Sequence, residues 1–159
     1  MKQIKLFVLL SLFIGLFQQA TAATDIANTD ASMQKEILYH INKYRITHGM
    51  SMLKMNNLIT QEATQHSRDM AQHKLPFGHL KYEQRMGRLF KNIKDSSGGA
   101  ENVAFNYKTA EIVVSEWIKS PGHRQNIRGN YNLTGIGIAR DERGRIYYTQ
   151  MFVRSKSVG

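Results

Sequence analysis

The hydrophobic pattern changes along the chain, and this change limits the fold more than any other feature of the sequence. In several stretches between Met33 and Ile118, apolar residues recur at spacings of three and four, which places them on one face of a helix. The last third of the chain instead holds two β-like segments, Gly135–Ala139 and Arg145–Val153, on either side of turn residues 141–144. Helices followed by a closing hairpin predict an α+β fold.

The helical stretches have recognisable ends. Gly49 ends the first, Pro76 follows the second, and Thr109 can cap the fourth. Ser120 as N-cap and Pro121 at the first helical position begin a fifth, short helix, because proline lacks the N–H donor that this position leaves unused. The predicted helices are Met33–His48, Leu58–His73 with Asn57 or Thr60 as its cap, Tyr82–Phe90, Ala110–Ile118 and the short helix from Pro121.

Residues 95–99 read as a loop before the extended segment Glu101–Phe105. Predicted inner positions include Ile37, Ile41, Tyr44 and His48 in the first helix and Met86, Leu89 and Phe90 in the third.

Residues 1–22 have the layout of a secretory signal peptide. Lys2 and Lys5 precede an apolar run, and small residues up to Ala22 follow it. The run from Leu6 to Phe17 is too short to span a bilayer comfortably. We therefore expect cleavage near Ala22 and a secreted or periplasmic protein. An uncleaved N-terminal anchor is the alternative, and mass spectrometry of the exported protein distinguishes the two.

The remainder of the chain is predicted to form one domain. Residues 23–32 are small and polar without periodicity, which predicts a disordered lead-in. Residues 33–159 are then a single domain of ordinary size. The chain has no cysteine, although disulfides persist in the compartments to which a signal peptide leads. The domain must therefore be held together by packing alone.

The chain is strongly basic, with 22 Lys and Arg residues against 12 Asp and Glu and a formal charge of +10. This excess favours anionic partners such as an anionic membrane or a cell-wall polymer. Nucleic acid is not expected, because the chain is predicted to be exported and shows no nucleic-acid-binding motif. The most concentrated basic stripe is Lys81, Arg85 and Arg88, on the predicted outer side of the third helix. The alternative is that these charges only solvate the surface.

Five short motifs follow one another in an order that resembles a known family. They are "FGH" at 77–79, "AENVA" at 100–104, "WIKSPGHRQNI" at 117–127, "TGIGIA" at 134–139 and "YYTQMF" at 147–152. The order is similar to that of the CAP superfamily, named after cysteine-rich secretory proteins, antigen 5 and pathogenesis-related proteins. The resemblance covers about Lys35 to Val153 and implies a three-layer α-β-α sandwich. In lacking cysteine, the chain resembles the bacterial branch of the superfamily.

The resemblance also implies a cleft. Eukaryotic members carry two histidines and two glutamates there, and His79 and Glu101 match one of each. The second glutamate of the family falls on Ser120, and the second histidine falls on Tyr147. This chain has His123 instead, in a Ser-Pro-Gly-His-Arg stretch that is similar to the bacterial branch.

His79, Glu101 and His123 each stand at the end of a predicted element, where clefts gather side chains from separate parts of a chain. The first turn of a helix disfavours an imidazolium, so we expect His123 to be neutral. Two neutral imidazoles and a carboxylate can transfer protons, or can hold zinc and leave a fourth position for water. The three residues therefore predict a zinc site of modest affinity, with no cofactor required for folding. The alternative is that each histidine is a structural hydrogen-bonding residue.

Two classes of function fit these features. The first is a secreted, monomeric binding or effector protein that holds a lipid, sterol, cell-wall component or metal ion in the cleft. The second is a metal-assisted hydrolase of peptides or esters that uses His79, Glu101 and His123. No convincing nucleophile is found, since cysteine is absent and Ser120 is explained as a helix cap. We therefore favour the binding protein over an enzyme.

Overall fold

The computed structural model describes residues 29–157. The predicted signal peptide, its cleavage site and the first part of the lead-in lie outside the described residues. The chain divides into two units, Met1–Met33 and Gln34–Gly159. In the first unit, residues 29–33 are helical. No helix within residues 29–157 is long and apolar enough to cross a membrane.

The second unit combines helices with a four-stranded sheet. Helix α1 is described over residues 29–47, and its residues from Gln34 onward belong to this unit. The elements that follow are β1 (Lys54–Met55), α2 (Asn57–Ala71), α3 (Tyr82–Asn92), β2 (Ser96–Phe105), α4 (Ala110–Lys119), α5 (Pro121–Ile127), β3 (Leu133–Arg140) and β4 (Ile146–Ser155). This order confirms the mixed α+β architecture predicted from the hydrophobic pattern.

The strands are arranged in the order β1-β3-β4-β2. β3 and β4 are antiparallel, and the pairing of Arg140 with Ile146 closes the predicted hairpin. The Asp141 carboxylate holds the turn, since it accepts hydrogen bonds from the N–H of Arg143 at 3.0 Å and of Arg145 at 2.8 Å. β2 runs antiparallel along the other side of β4, and β1 pairs parallel with β3. β1 was not predicted, because two residues are too few to show a period.

Helices α2 and α3 cover one face of the sheet. A Cβ atom on Gly137 would lie 2.1 Å from the carbonyl carbon of Ala63, so only glycine lets α2 approach β3 this closely. Ser67 adds hydrogen bonds from its hydroxyl to the Gly137 carbonyl at 3.1 Å and to Thr149 Oγ1 at 2.9 Å. The buried cluster on this face is Ile59, Ala63, Met86, Leu89, Ile93, Leu133, Met151 and Val153. Register places Glu101 opposite Met151, so the Glu101 side chain lies on the same face.

Helices α4 and α5 cover the outer edge of β2. Trp117 donates from Nε1 to the Val103 carbonyl at 3.0 Å, and Asn126 donates from Nδ2 to the Glu101 carbonyl at 3.1 Å. Carbonyls two residues apart point to the same side of a strand, and β4 occupies the other side of β2. The two helices therefore satisfy an edge that would otherwise be open to pairing with another chain.

Some predicted boundaries are wrong. Residues 29–32 are helical rather than disordered. Their small and polar residues permit this, because each costs less than about 0.7 kcal/mol in a helix relative to alanine. Residues 96–99 belong to β2 rather than to a loop. A register irregularity between Ser96 and Gly99 accommodates their loop-like composition.

The predicted caps are confirmed in part. Thr109 caps α4, since its hydroxyl accepts a hydrogen bond from the third N–H that follows, at 3.2 Å. Asn56, rather than Asn57 or Thr60, caps α2 by accepting from two backbone N–H groups at 2.9 and 3.2 Å. Ser120 occupies the predicted N-cap position of α5, but its side chain makes no capping hydrogen bond.

Two arginines lie on inner helix faces, whereas two residues that were predicted to lie there are exposed. His48 is exposed, whereas Arg45 is only 2% exposed. Phe90 is 39% exposed, whereas Arg85 is 3% exposed and lies beside Met86 on the inner side of α3. The inner faces otherwise lie where they were predicted, since the predicted inner residues Ile37, Ile41, Met86 and Leu89 are buried. The prediction placed Arg85 on the outer side and did not consider Arg45.

Candidate functional site

His79 is positioned by the loop between α2 and α3. Gly78 has a φ of 139°, a backbone conformation that favours glycine. Its carbonyl lies 2.9 Å from Nε2 of the buried His66 on α2. A carbonyl only accepts hydrogen bonds, so Nε2 of His66 carries the hydrogen and donates it. His66 thus fixes the peptide that directly precedes His79.

Glu101 holds His79 from the sheet side. The Glu101 side chain is 1% exposed and the His79 side chain is 51% exposed, with Nδ1 of His79 at 2.9 Å from Oε1 of Glu101. The carboxylate only accepts, so Nδ1 of His79 donates the hydrogen bond. Nε2 of a neutral His79 then carries a lone pair that can accept a proton or hydrogen bond from a ligand.

Arg85 completes this arrangement from α3. Its Nε donates to Oε2 of Glu101 at 2.9 Å, and its Nη2 donates to Oε1 at 2.8 Å, which is a bidentate ion pair. Its Nη1 donates to the Leu80 carbonyl at 2.8 Å. Arg85 therefore joins the carboxylate to the backbone beside His79, and both Glu101 oxygens are occupied.

The electrostatics of Glu101 follow from these contacts. Burial by itself would raise the pKa of the Glu101 carboxyl, but the hydrogen bonds from His79 and Arg85 and the charge of Arg85 outweigh it. The net result is a pKa below the usual value, so Glu101 is ionised at neutral pH. His66 shows the reverse balance, because burial lowers its pKa more than the nearby Glu101 charge raises it. His66 is therefore a neutral hydrogen-bonding residue of the core.

An open cleft of about 280 Å³ lies beside His79. Its lining is His79, Tyr82, Gly99, Ala100, Glu101, Asn126 and Tyr131. Burial, with a smaller effect of Tyr131, raises the pKa of Tyr82 to about 12, and burial also raises the pKa of Tyr131. Both phenols therefore stay protonated and can donate hydrogen bonds. The cleft combines these two aromatic side chains with one imidazole and one amide.

His123 lies in the first turn of α5, as predicted, and is partly buried. Burial lowers its pKa, and the charge of a protonated His79 lowers it further. The expected neutral state is thus supported by burial and by a neighbouring histidine. The His123 carbonyl accepts from Nδ2 of Asn102 at 3.2 Å, but its side chain is not part of the lining of the cleft. The structure therefore joins His79 to Glu101 and leaves His123 beside them.

The residues do not fit the zinc site expected from the sequence. Among residues 29–157, no group of three or more His, Cys, Asp or Glu side chains is arranged to hold a metal ion. Both Glu101 oxygens accept hydrogen bonds from Arg85, and the guanidinium charge repels a cation at the same carboxylate. Arg85 occupies the place at Glu101 that a metal ion would need.

The predicted basic stripe is also corrected. Lys81 is exposed at the N-cap of α3, but Arg85 is buried against Glu101. Arg88 is exposed and forms a bidentate ion pair with Glu62, with both distances at 2.7 Å. Two of the three charges therefore have carboxylate partners, and the three do not form a continuous free basic surface.

Sequence reasoning placed His79 and Glu101 at the site but missed the residues around them. Arg85 was assigned to the surface, and His66, Asn126, Tyr82 and Tyr131 were assigned to no site. The motif "SPGHRQNI" contained the one available signal, because Asn126 lies within it. Asn126 binds both the Glu101 carbonyl and Oδ1 of Asn102, at 3.1 and 2.8 Å.

We expect stability to fall as the pH is lowered below about 6.5, the value for an unperturbed histidine. His66 and His123 have lowered pKa values in the folded protein, so the unfolded chain binds more protons in this range. Their stabilising effect is therefore complete above pH 6.5 and is lost as the pH falls through their folded pKa values. Each fully linked histidine contributes up to about 1.4 kcal/mol per pH unit.

Urea unfolding between pH 7.5 and 5.5 measures this effect. His66→Gln keeps an N–H donor for the Gly78 carbonyl but cannot titrate, so its stability should depend less on pH than that of the wild type. His48→Gln, at an exposed position, is the control and should keep the wild-type dependence. An unchanged pH dependence in His66→Gln would contradict the prediction.

Comparison with known proteins identifies the family. The sequence model of CAP, described as the Cysteine-rich secretory protein family, matches residues 38–152. The uncharacterized membrane protein YlbC of Bacillus subtilis (strain 168) is 32% identical over 124 residues, which cover 76% of this chain and 34% of YlbC. The uncharacterized protein YkwD of the same strain is 30% identical over 140 residues, which cover 86% of this chain and 52% of YkwD. The chain thus spans between a third and about half of these curated relatives.

Solved structures show the same fold. An outer surface protein from Borrelia burgdorferi matches with a TM-score of 0.68 at 15% identity, covering 79% of this chain and 94% of that one. An extracellular protein containing a SCP domain from Bacillus anthracis str. Ames matches with a TM-score of 0.65 at 23% identity, over 79% and 41% of the two chains. A cysteine-rich secretory protein from Staphylococcus aureus subsp. aureus Mu50 matches with a TM-score of 0.66 at 18% identity, over 79% and 39%. At these identities the matches establish the fold alone, and they confirm the CAP-type sandwich. The chain belongs to the CAP family, the Cysteine-rich secretory protein family, and its lack of cysteine agrees with the cysteine-free bacterial branch.

Proposed function

We propose that the protein is an exported binding module that holds a polar group of a cell-wall component in the cleft beside His79. The observation that carries this proposal is the fixed orientation of His79 by the buried pair of Glu101 and Arg85. An exposed histidine normally samples several rotamers, and fixing it before a ligand arrives reduces the entropy lost on binding. A preorganised hydrogen-bonding group at the wall of a cleft is a feature of a recognition site.

The size and lining of the cleft favour a small polar ligand group. Its volume of about 280 Å³ lies at the lower end of the range for ligand pockets, roughly 300–1,000 Å³. One sugar ring or one amino-acid side chain fits this space better than a whole sterol or a long acyl chain. Tyr82 and Tyr131 offer aromatic surfaces and hydroxyl donors, and Asn126 offers an amide. Of the ligand classes expected from the sequence, a cell-wall glycan or peptide matches this chemistry best.

Two considerations favour a binding role over a metal-assisted hydrolase. The ion pair with Arg85 occupies the carboxylate that a metal ion would need. The described lining of the cleft also contains no serine, threonine or cysteine, so it lacks the side chains most often used for covalent catalysis. The Glu101–His79 pair alone can hold and orient a ligand hydroxyl or amide without a chemical step.

Export is part of the proposal. The N-terminal residues have the order of zones that signal peptides require. A protein of the same fold is described as extracellular. A cell-wall ligand is accessible only to a protein outside the cytoplasm, so the proposed location and the proposed ligand agree.

Isothermal titration with soluble peptidoglycan fragments tests the proposal. We expect weak but measurable binding by the wild type, and at least about a tenfold loss in His79→Ala, because one charge-assisted or two neutral hydrogen bonds contribute about 1.4 kcal/mol or more. His48→Ala, an exposed histidine outside the cleft, is the matched control and should bind like the wild type. Equal binding by all three proteins would refute the role of the cleft. Turnover of the fragments that disappears in His79→Ala would show that the protein is instead an enzyme.

A further inference from the structure

A second concave surface, the basic groove, lies between the end of α1, the segment after α5 and the end of β4. Its volume is about 770 Å³. No Asp or Glu is found among its lining residues within the described part of the chain. Its cationic lining residues are Arg45, Lys54, Arg128, Arg154 and Lys156. Four of these cations, Arg45, Arg128, Arg154 and Lys156, take part in no ion pair with a carboxylate of residues 29–157, and together they produce a positive potential in the groove.

The charge of Arg45 is fixed in the basic groove. Its guanidinium donates hydrogen bonds to the carbonyls of Ser51, Ile127, Gly129 and Tyr131, at distances from 2.6 to 3.1 Å. All four acceptors are neutral, so these bonds hold the side chain without cancelling its charge. Arg45 therefore supplies a permanent positive charge that cannot turn away into solvent.

Three further cations are more accessible to a ligand. Nη1 of Arg154 donates to Oδ1 of Asn130 at 2.6 Å, which orients the guanidinium but leaves its charge in place. Arg128 and Lys156 are exposed and take part in no ion pair with another residue in 29–157. This differs from Arg85 and Arg88, whose charges are balanced by Glu101 and Glu62.

The form of the basic groove indicates what kind of anion it accepts. A groove of about 770 Å³ is much larger than one phosphate group, and its cations come from four separate segments of the chain. A linear chain can enter a concave surface, whereas a flat membrane contacts mainly the rim. Arginine guanidinium groups match the geometry of phosphate oxygens and bind them bidentately. Repeated phosphate groups along a chain would contact several of these cations at once, which raises the affinity above that of a single contact.

We propose that the basic groove binds a linear polymer of phosphate groups, with Arg128, Arg154 and Lys156 in contact with successive phosphates. Arg45 at the wall contributes its fixed charge. The groove does not depend on the function proposed for the cleft, although Tyr131 lines both. A polymer anchored in the groove would place its neighbouring units beside the cleft.

Fluorescence anisotropy with labelled inorganic polyphosphate of defined length tests this proposal. The triple variant Arg128→Gln, Arg154→Gln, Lys156→Gln should bind at least about tenfold more weakly than the wild type. The slope of log affinity against log salt should fall by about 3, close to one unit for each lost phosphate contact. Circular dichroism establishes that the triple variant is folded. An affinity equal to that of the wild type would overturn the proposal.

A second triple variant separates a specific groove from general charge attraction. Lys35→Gln, Lys43→Gln, Lys91→Gln removes the same formal charge from exposed positions on α1 and α3, outside the groove. We expect its affinity to change by less than about threefold, since distant exposed charges are screened by salt. Equal losses in both triple variants would overturn the proposal.

Two further arms identify the source of the phosphate, and a third separates the groove from the cleft. Inorganic orthophosphate at matched phosphorus concentration should compete poorly with polyphosphate. Effective competition would show that the groove is a site for a single phosphate and would overturn the proposal of a polymer. The protein should bind vesicles of phosphatidylglycerol and phosphatidylcholine no more tightly than it binds the polymer. If the groove residues were needed for binding to vesicles but not to polyphosphate, the ligand would be a membrane and the proposal of a polymer would be wrong. His79→Ala should bind polyphosphate like the wild type, so failure of the groove and failure of the cleft are distinguishable.

Discussion

Replacing Glu101 by alanine is expected to lower the free energy of unfolding by about 3–5 kcal/mol, the usual cost of removing one partner from a buried ion pair. The side chains of Glu101 and Arg85 are 1% and 4% exposed. Without the carboxylate, the Arg85 guanidinium is left in a poorly hydrated place with only the Leu80 carbonyl as its recorded partner. Urea unfolding at pH 7, where both groups are charged, measures the change.

The matched control is the double variant Glu101→Leu, Arg85→Met. It removes both charges and keeps most of the apolar volume, and such replacements are often neutral or stabilising. We expect it to recover most of the stability lost in Glu101→Ala. A single variant that loses less than about 1 kcal/mol, or a double variant less stable than the single one, would show that the ion pair is not the source of the effect.

The Glu101 site shows how far the sequence can take a prediction. His79 and Glu101 were identified because both stand in short motifs at element ends. Their partner Arg85 was assigned to the surface, since a charged residue within an amphipathic helix is most often solvated. Only the tertiary structure brings β2 close enough to α3 for a carboxylate to neutralise a guanidinium inside the core. The zinc site stays a prediction that the described residues do not support, because sequence spacing does not show which side chain takes each carboxylate oxygen.

The fold was more accessible to sequence reasoning than the site. The closing hairpin and the α4 stripe follow local rules, namely turn chemistry around Asp141 and a 3.6-residue period before Trp117, and both are confirmed. The short β1 and the strand character of residues 96–99 depend on pairing with distant strands. Such pairing satisfies backbone groups whatever the side chains are, so the local pattern carries no signal for it.

Arg45 illustrates the same limit on the first helix. The inner face was predicted from apolar spacing as Ile37, Ile41, Tyr44 and His48. Arg45 follows Ile41 by four residues and therefore lies on the buried side. Burial lowers the pKa of its guanidinium, yet an arginine remains protonated in proteins. It is tolerated there because backbone carbonyls at the end of α5 and in the segment that follows accept its hydrogen bonds.

Arg45→Ala is therefore expected to destabilise the protein by about 3–5 kcal/mol. The variant removes four hydrogen bonds from a charged donor, each of which contributes about 1.5–3 kcal/mol when its acceptor is shielded from water, and less where water can replace the donor. The bond to the Ile127 carbonyl is the most shielded of the four, at 2.6 Å, so its removal should cost the most stability. Arg45 connects residues more than 80 positions apart. We therefore expect its loss to destabilise α1 and the end of α5 together, in one cooperative unfolding transition.

Two substitutions at Arg45 separate hydrogen bonding from packing, with urea unfolding as the measurement. Arg45→Met keeps the aliphatic volume but supplies no donor, so it should lose nearly as much stability as Arg45→Ala. Arg45→Lys keeps the charge and up to three donors on a single nitrogen, which cannot reach four carbonyls in different directions, and it should fall between Met and the wild type. A Met variant as stable as the wild type would mean that side-chain volume, rather than the guanidinium, joins the two helices. A Lys variant as stable as the wild type would mean that one point charge near the end of α5 is enough, and that the fork of the guanidinium adds nothing.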